Sequence, residues 1–187
     1  TFLGGHEWDL RLANYLADTF IRQHGLDPRE KLQHLDHLVE RVSQVKHALS
    51  VRSHTSVRLA FGNHSETIKP TREDFERATA DLLERTGKIC DQVLQQAGLN
   101  WRRVQRVLLV GGATRMPMIS RMLTQRLGRA PDNLVSPEEA VARGAAIYAA
   151  RAIHGGGRPP VLQVTSISTH SLGLEETDQA TGDRVNT

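Results

Sequence analysis

The sequence predicts an α/β chain, and three observations carry that prediction. Apolar residues recur at helical spacing in several long segments. Between two of these, "TSVRLAF" alternates apolar and polar side chains and contains β-branched residues, and "GN" with a second short run through Ile68 completes a hairpin pattern. Farther on, "RVLLVGGATRMPMI" runs from an apolar segment, residues 107–110, through paired glycines to a helix start.

The elements follow in order. Residues 7–23 form a first helix with Trp8, Leu12, Tyr15, Leu16 and Phe20 at helical spacing. Asp27 and Pro28 are expected to open a long second helix as N-cap and first-turn proline, with Leu35, Leu38, Val42, Val45 and Leu49 as its apolar stripe. After the hairpin, Thr71 and Asp74 resemble a capping box for a third helical region through Phe75, Ala78, Leu82, Ile89 and Val93. Gly87 is expected to divide that region and Gly98 to close it. A buried strand over residues 107–110 precedes the glycine pair and a helix over residues 117–127, ended by Gly128. Ser136, Pro137 and Glu139 read as N-cap, first-turn proline and box partner of a last helix. Its small residues Ala142, Gly144, Ala145 and Ala146 imply close packing on a neighbour. After Ala152, "HGGGRPP" has linker composition, "VLQVTSIS" reads as a short extended segment, and "SLGLEE" can begin another strand. Too few strands accompany residues 107–110 to complete a sheet.

Composition narrows the class. With 187 residues and 39% hydrophobic content, the chain can bury a core as one domain or two small ones. A net charge of +3 with dispersed arginines argues against a nucleic-acid partner. No apolar run approaches the roughly 20 residues of a membrane span, so a soluble chain is expected. The single cysteine, Cys90, excludes an internal disulfide and is expected to act as a small buried apolar residue. The start at Thr1, without a signal-type segment, reads as a cut end.

Two constellations carry candidate chemistry. Ser43, Lys46, His47 and Ser50 share one helix face beside the apolar stripe. Such a ledge can hydrogen-bond a heterocycle while a lysine stem lies against its flat face, although a solvated helix face has the same composition. At Gly111 and Gly112, backbone can approach a ligand without an intervening Cβ, and Arg115 adds a cation; an ordinary strand-to-helix turn is the competing reading. The pair fits neither the dinucleotide fingerprint nor the P-loop. "LGG" at residues 3–5 is a second, weaker glycine joint. His24, His34 and His37 lack a carboxylate or cysteine to complete a metal set, and no nucleophile elbow occurs, so neither a metal site nor a catalytic residue is assigned.

In order and spacing, "LGGHEWDLRLANYLADTF", "VKHALS", "TREDFE", "VLLVGGATRMPMI" and "SPEEAVARGAAIYAA" resemble the seventy-kilodalton heat-shock chaperone family, the DnaK-type ATPases of the actin fold. The resemblance covers residues 1–152, and "VTSISTHSLGLEE" resembles the entry to the family's substrate-binding domain. It implies an incomplete second lobe of an actin-like, ribonuclease H-like nucleotide-binding domain. Residues 1–82 would be the outer subdomain, 83–152 the later part of the inner one, and 153–187 the linker and the start of the next domain. It also implies that Lys46, His47 and Ser50 contact adenine and ribose of ATP or ADP. Gly111, Gly112, Ala113 and Arg115 would close the other side, with Gly5 near the phosphates and Glu138 near the adenine pocket. The parent protein would be a cytoplasmic, stress-responsive chaperone and ATPase. Its expected partners are a nucleotide exchange factor, a J-domain cochaperone and unfolded client peptides.

Departures from the family pattern temper the implied activity. Ser43 stands in place of an acidic residue, His47 of arginine, Ala113 of serine, Glu138 of aspartate, and His6 with Glu7 of an acidic pair. Adenosine binding is therefore expected to be retained in kind but weakened. The linker lacks the family's leucine run and aspartate. The phosphate loops, catalytic lysine and magnesium-positioning aspartates would all precede Thr1, so this chain alone is not expected to hydrolyse ATP. A lobe of another actin-fold kinase, or a degenerate interaction module without turnover, are the alternatives. An unpaired sheet edge would favour a dimer or a domain swap.

Overall fold

A computed structural model describes residues 3–30, 32–132, 134–154, 175–177 and 184–186. The chain divides into two compact units, Thr1–Gly144 and Ala145–Thr187. In the first, helix α1 (Gly5–His24) begins where the Glu7 N–H donates to the Gly4 carbonyl at 3.0 Å and the Glu7 carboxylate accepts from the Gly4 N–H at 2.6 Å. That backbone donor, first among several causes, holds the Glu7 carboxyl below its ordinary range. Gly25, at φ +68°, closes the helix with its N–H on the Ile21 carbonyl. Trp8, Leu12, Leu16 and Phe20 recur every fourth residue and are all buried, each contributing on the order of 1.5–3 kcal/mol.

Helix α2 (Leu32–Val51) packs on α1 through Leu38, Val42, Val45 and Leu49, all buried. It starts later than Asp27 and Pro28 suggest. The Asp27 carboxylate is taken by the backbone N–H and guanidinium of Arg29, which leaves residues 27–30 as a turn rather than a cap. The hairpin of β1 (Val57–Phe61) and β2 (His64–Ile68) is antiparallel, with Val57 opposite Ile68 and Gly62 at φ +59° in the turn. Val57 and Leu59 point into the core while Arg58 and Ala60 are exposed, the alternation read from the sequence.

Thr71 caps α3 (Arg72–Ala78): its hydroxyl accepts from the Asp74 N–H at 3.1 Å, and Asp74 in turn accepts from the Thr71 N–H. The break in this region falls at Thr79, not at Gly87, and α4 (Ala80–Gln96) runs unbroken through the glycine. Gly87 serves packing: a Cβ there would collide with the Arg126 guanidinium, which pairs with Asp91 on the same helix as the glycine. Asp91 also accepts from the Trp101 indole N–H at 2.7 Å. Gly98, at φ +65°, ends the helix as expected. Cys90 is half-buried, and burial pushes its thiol pKa up.

Residues 107–110 do not form a buried strand. Leu108 makes an isolated parallel bridge to Asp132, the one bridge of this segment among the described residues, and Leu108 and Val110 are 50% and 45% exposed. A strand needs partners on its edges, and among the described residues Asp132 supplies them, through its N–H to the Val107 carbonyl and its carboxylate to the Val107 N–H. Helix α5 (Pro117–Leu127) buries Met118, Ile119, Met122 and Leu123 against the same core, and Gly128 ends it at φ +71°. Helix α6 (Ala140–His154) is preceded by a turn in which the Ser136 carbonyl accepts from Glu139 and Ala140. The expected box is not closed, because Glu139 pairs with Arg143 one turn on. Ala142 and Gly144 are exposed, and a Cβ on Gly144 would meet nothing within 4 Å, contrary to the close packing expected of them. In the second unit, β3 (Glu175–Thr177) pairs antiparallel with β4 (Arg184–Asn186), so Glu175 and Glu176 of "SLGLEE" are in a strand. The extended segment read in "VLQVTSIS" lies outside the described residues.

Candidate functional site

A cavity of about 370 Å³ opens in the first unit, lined by Lys46, His47, Ser50, Val51, Gly112, Arg115, Met116 and Glu138. Its size is within the roughly 300–1,000 Å³ of small-molecule sites. Three stretches far apart in sequence build it. Helix α2 supplies Lys46, His47 and Ser50, within about one turn of each other on one face. The glycine joint and the single 3₁₀ turn Gly112–Arg115 supply Gly112 and Arg115. The turn before α6 supplies Glu138.

Backbone geometry holds the glycine joint. Gly111 sits at φ +92° and ψ 146°, a conformation open essentially to glycine alone, and its N–H donates to the Pro137 carbonyl at 2.8 Å. The Thr114 N–H and hydroxyl both return to the Gly111 carbonyl. Gly112 faces open space, and a Cβ added there would meet nothing within 4 Å. The Arg115 Nε lies 2.9 Å from Glu138 Oε1, an ion pair between two half-exposed side chains.

On the opposite wall Lys46 is buried, so the face carrying the ledge is not simply solvated. Its Nζ donates to Asp9 Oδ2 at 2.8 Å and to the Gly5 carbonyl at 3.1 Å. The Ser50 hydroxyl donates to the Lys46 carbonyl at 3.0 Å, leaving its oxygen lone pairs available as acceptors. His47 is exposed and Ser43 half-buried. Gly5, Gly111 and Ala113 are not in the lining but adjoin it. A Cβ on Gly5 would lie 3.3 Å from Lys46 Nζ and 3.7 Å from the Ala113 Cβ, so both walls meet at Gly5.

Six of the nine residues singled out in the sequence thus border one cavity, and the other three stand beside it. Asp9, Val51 and Met116 were not singled out. For Asp9 a signal existed, since an acidic residue follows Trp8 on a helix whose neighbouring face is apolar. A groove of about 610 Å³ between α2 and β1 is larger, but Arg41, Gln44 and Arg58 dominate its rim and it contains none of the nine. The His24 ring lies tilted against Phe20, with centroids 4.6 Å apart, and 3.6 Å from Glu66, while the side chains of His34 and His37 lie outside the described residues. Among the described residues no group of three or more His, Cys, Asp or Glu can hold a metal ion, and no helix is long and apolar enough to cross a membrane.

The family model for Hsp70 protein matches residues 1–186, and the chain belongs to the Hsp70 family, a family of chaperones. Among curated proteins it is similar to Chaperone protein DnaK from two strains of Halobacterium salinarum. Each is 37% identical over 182 residues, covering 92% of this chain and 28% of the relative. The chain therefore spans little more than a quarter of the length of these relatives.

Proposed function

We propose that the chain supplies the adenosine-binding side of the nucleotide cleft of an ATP-dependent cytoplasmic chaperone. The observation that carries this reading is the convergence of Lys46, His47, Ser50, Gly112, Arg115 and Glu138 on one cavity. Residues 1–82 act as the outer and 83–152 as the later inner subdomain of the second lobe, with 153–187 leading to the client-binding domain. The charge balance of the cavity supports a nucleoside over a phosphate. Lys46 is neutralised by Asp9 and Arg115 by Glu138, so the walls offer a stem, a guanidinium plane, an imidazole and a hydroxyl acceptor rather than unpaired cationic charge. The phosphates of ATP or ADP, and the magnesium that accompanies them, are held by other parts of the parent protein. A nucleotide exchange factor, a J-domain cochaperone and unfolded peptides are its partners.

Calorimetry tests the site directly. ADP and adenosine should both saturate the chain with Kd below about 1 mM and within a few-fold of each other, while inorganic tripolyphosphate should give no saturable heat. Absence of binding by either nucleoside compound at millimolar concentration would overturn the proposal. That same result would favour the second reading, a degenerate interaction module. The engagement of both cations within the protein and the alanine at position 113 are the features that support it.

A further inference from the structure

We infer that Asp9 is a positioning residue for Lys46, drawing the ammonium away from the cavity so that the lysine presents its aliphatic stem to a ligand. The inference deepens the adenosine reading of the cavity and rests on it for the ligand. Lys46 borders the cavity, while its Nζ donates to Asp9 Oδ2 at 2.8 Å and to the Gly5 carbonyl at 3.1 Å, and neither Asp9 nor Gly5 is among the lining residues. Each of the two residues is only 8% exposed. Asp9 Oδ1 is buried with no hydrogen-bond partner among the described residues, which leaves Lys46 as the group its carboxylate serves. The missing side chain at Gly5 leaves the space for the ammonium, since a Cβ there would come within 3.3 Å of Nζ.

The energetics keep the lysine in place. Swinging Nζ into the cavity would break two charge-assisted hydrogen bonds and strand the Asp9 carboxylate in a buried setting, a large penalty for a carboxylate. Ser43, which precedes Lys46 by one turn, carries no charge to compete for it from the same helix. A ligand on this wall therefore meets methylene groups suited to a flat heterocycle or a sugar face, and the site gains little from a ligand's negative charge.

Limited acetylation read by peptide mass spectrometry tests the positioning without any nucleotide. The sequence has four lysines, and Lys69 and Lys88 are exposed internal references. In the full chain Lys46 should react at least about 10-fold more slowly than Lys69; Asp9→Asn should abolish most of that protection and Asp9→Glu should keep it. Selectivity gives a second readout that a merely structural role would not move. The Asp9→Asn variant frees the ammonium, so the ADP-to-adenosine affinity ratio should rise by about 5-fold or more over wild type. Lys46 reacting like Lys69 in the wild type, or an unchanged ratio in a folded Asp9→Asn chain, overturns the inference. Should Asp9→Asn fail to fold, the wild-type and Asp9→Glu rates decide it. Failure of the wild type to bind either compound removes the adenosine reading, while the acetylation rates still decide whether Asp9 holds the lysine.

Discussion

Gly111 and Gly112 are adjacent in sequence and opposite in what they require. Gly111 occupies a positive-φ conformation and donates its N–H to Pro137, whereas Gly112 has neither a positive φ nor a neighbour where a side chain would project. Gly111→Ala should therefore lower stability by about 1–3 kcal/mol, read as an earlier urea midpoint. Gly112→Ala should leave stability within about 0.5 kcal/mol of wild type but weaken adenosine binding, because its methyl group enters the cavity. Equal losses of stability in the two variants would contradict this division. The sequence alone marked both glycines as special but could not separate a strained joint from an open wall, since that difference lies in one dihedral angle. The Asp9–Lys46 pair was further out of reach, as its partners are 37 positions apart and only the packing of α1 on α2 joins them.

Elements specified by their own residues emerged where the sequence placed them. The hairpin, the Thr71 cap and the glycine-terminated ends of α4 and α5 depend on interactions a few residues long. Elements that depend on distant groups did not. Asp27 lost its capping role to Arg29, Gly87 proved to be room for Arg126, and residues 107–110 have, among the described residues, only a bridge to Asp132 where a sheet strand would need neighbours along its length. The α3 cap also makes stability depend on acid. The Thr71 hydroxyl, first among the causes, holds the Asp74 pKa below its ordinary 3.8. Its folded value thus lies below its unfolded value, so the contribution is present above about pH 4 and is lost as pH falls through the folded pKa. Thr71→Val should cost about 1 kcal/mol at neutral pH and flatten the acid limb of a stability-against-pH curve. An acid limb identical to wild type would show that Asp74 owes its shift to another group.

At the scale of the whole chain, the apolar groups left uncovered matter most. Leu108 and Val110 are about half exposed and Leu134 is 62% exposed, beside a backbone segment with one bridge among the described residues. Such an edge favours pairing with a second chain, so sedimentation velocity should show concentration-dependent self-association. One monomer mass at every concentration would sink that expectation, and Leu108→Lys should suppress association where it occurs. The two ion pairs flanking the cavity add a property of a different kind. Mobile ions screen the half-exposed Arg115–Glu138 pair over about 10 Å at 0.1 M ionic strength, but they have little access to Lys46 and Asp9. Rising salt should thus weaken the pair on the loop wall and spare the one on the helix wall, so the two sides of the cavity differ in their sensitivity to the electrolyte around the protein.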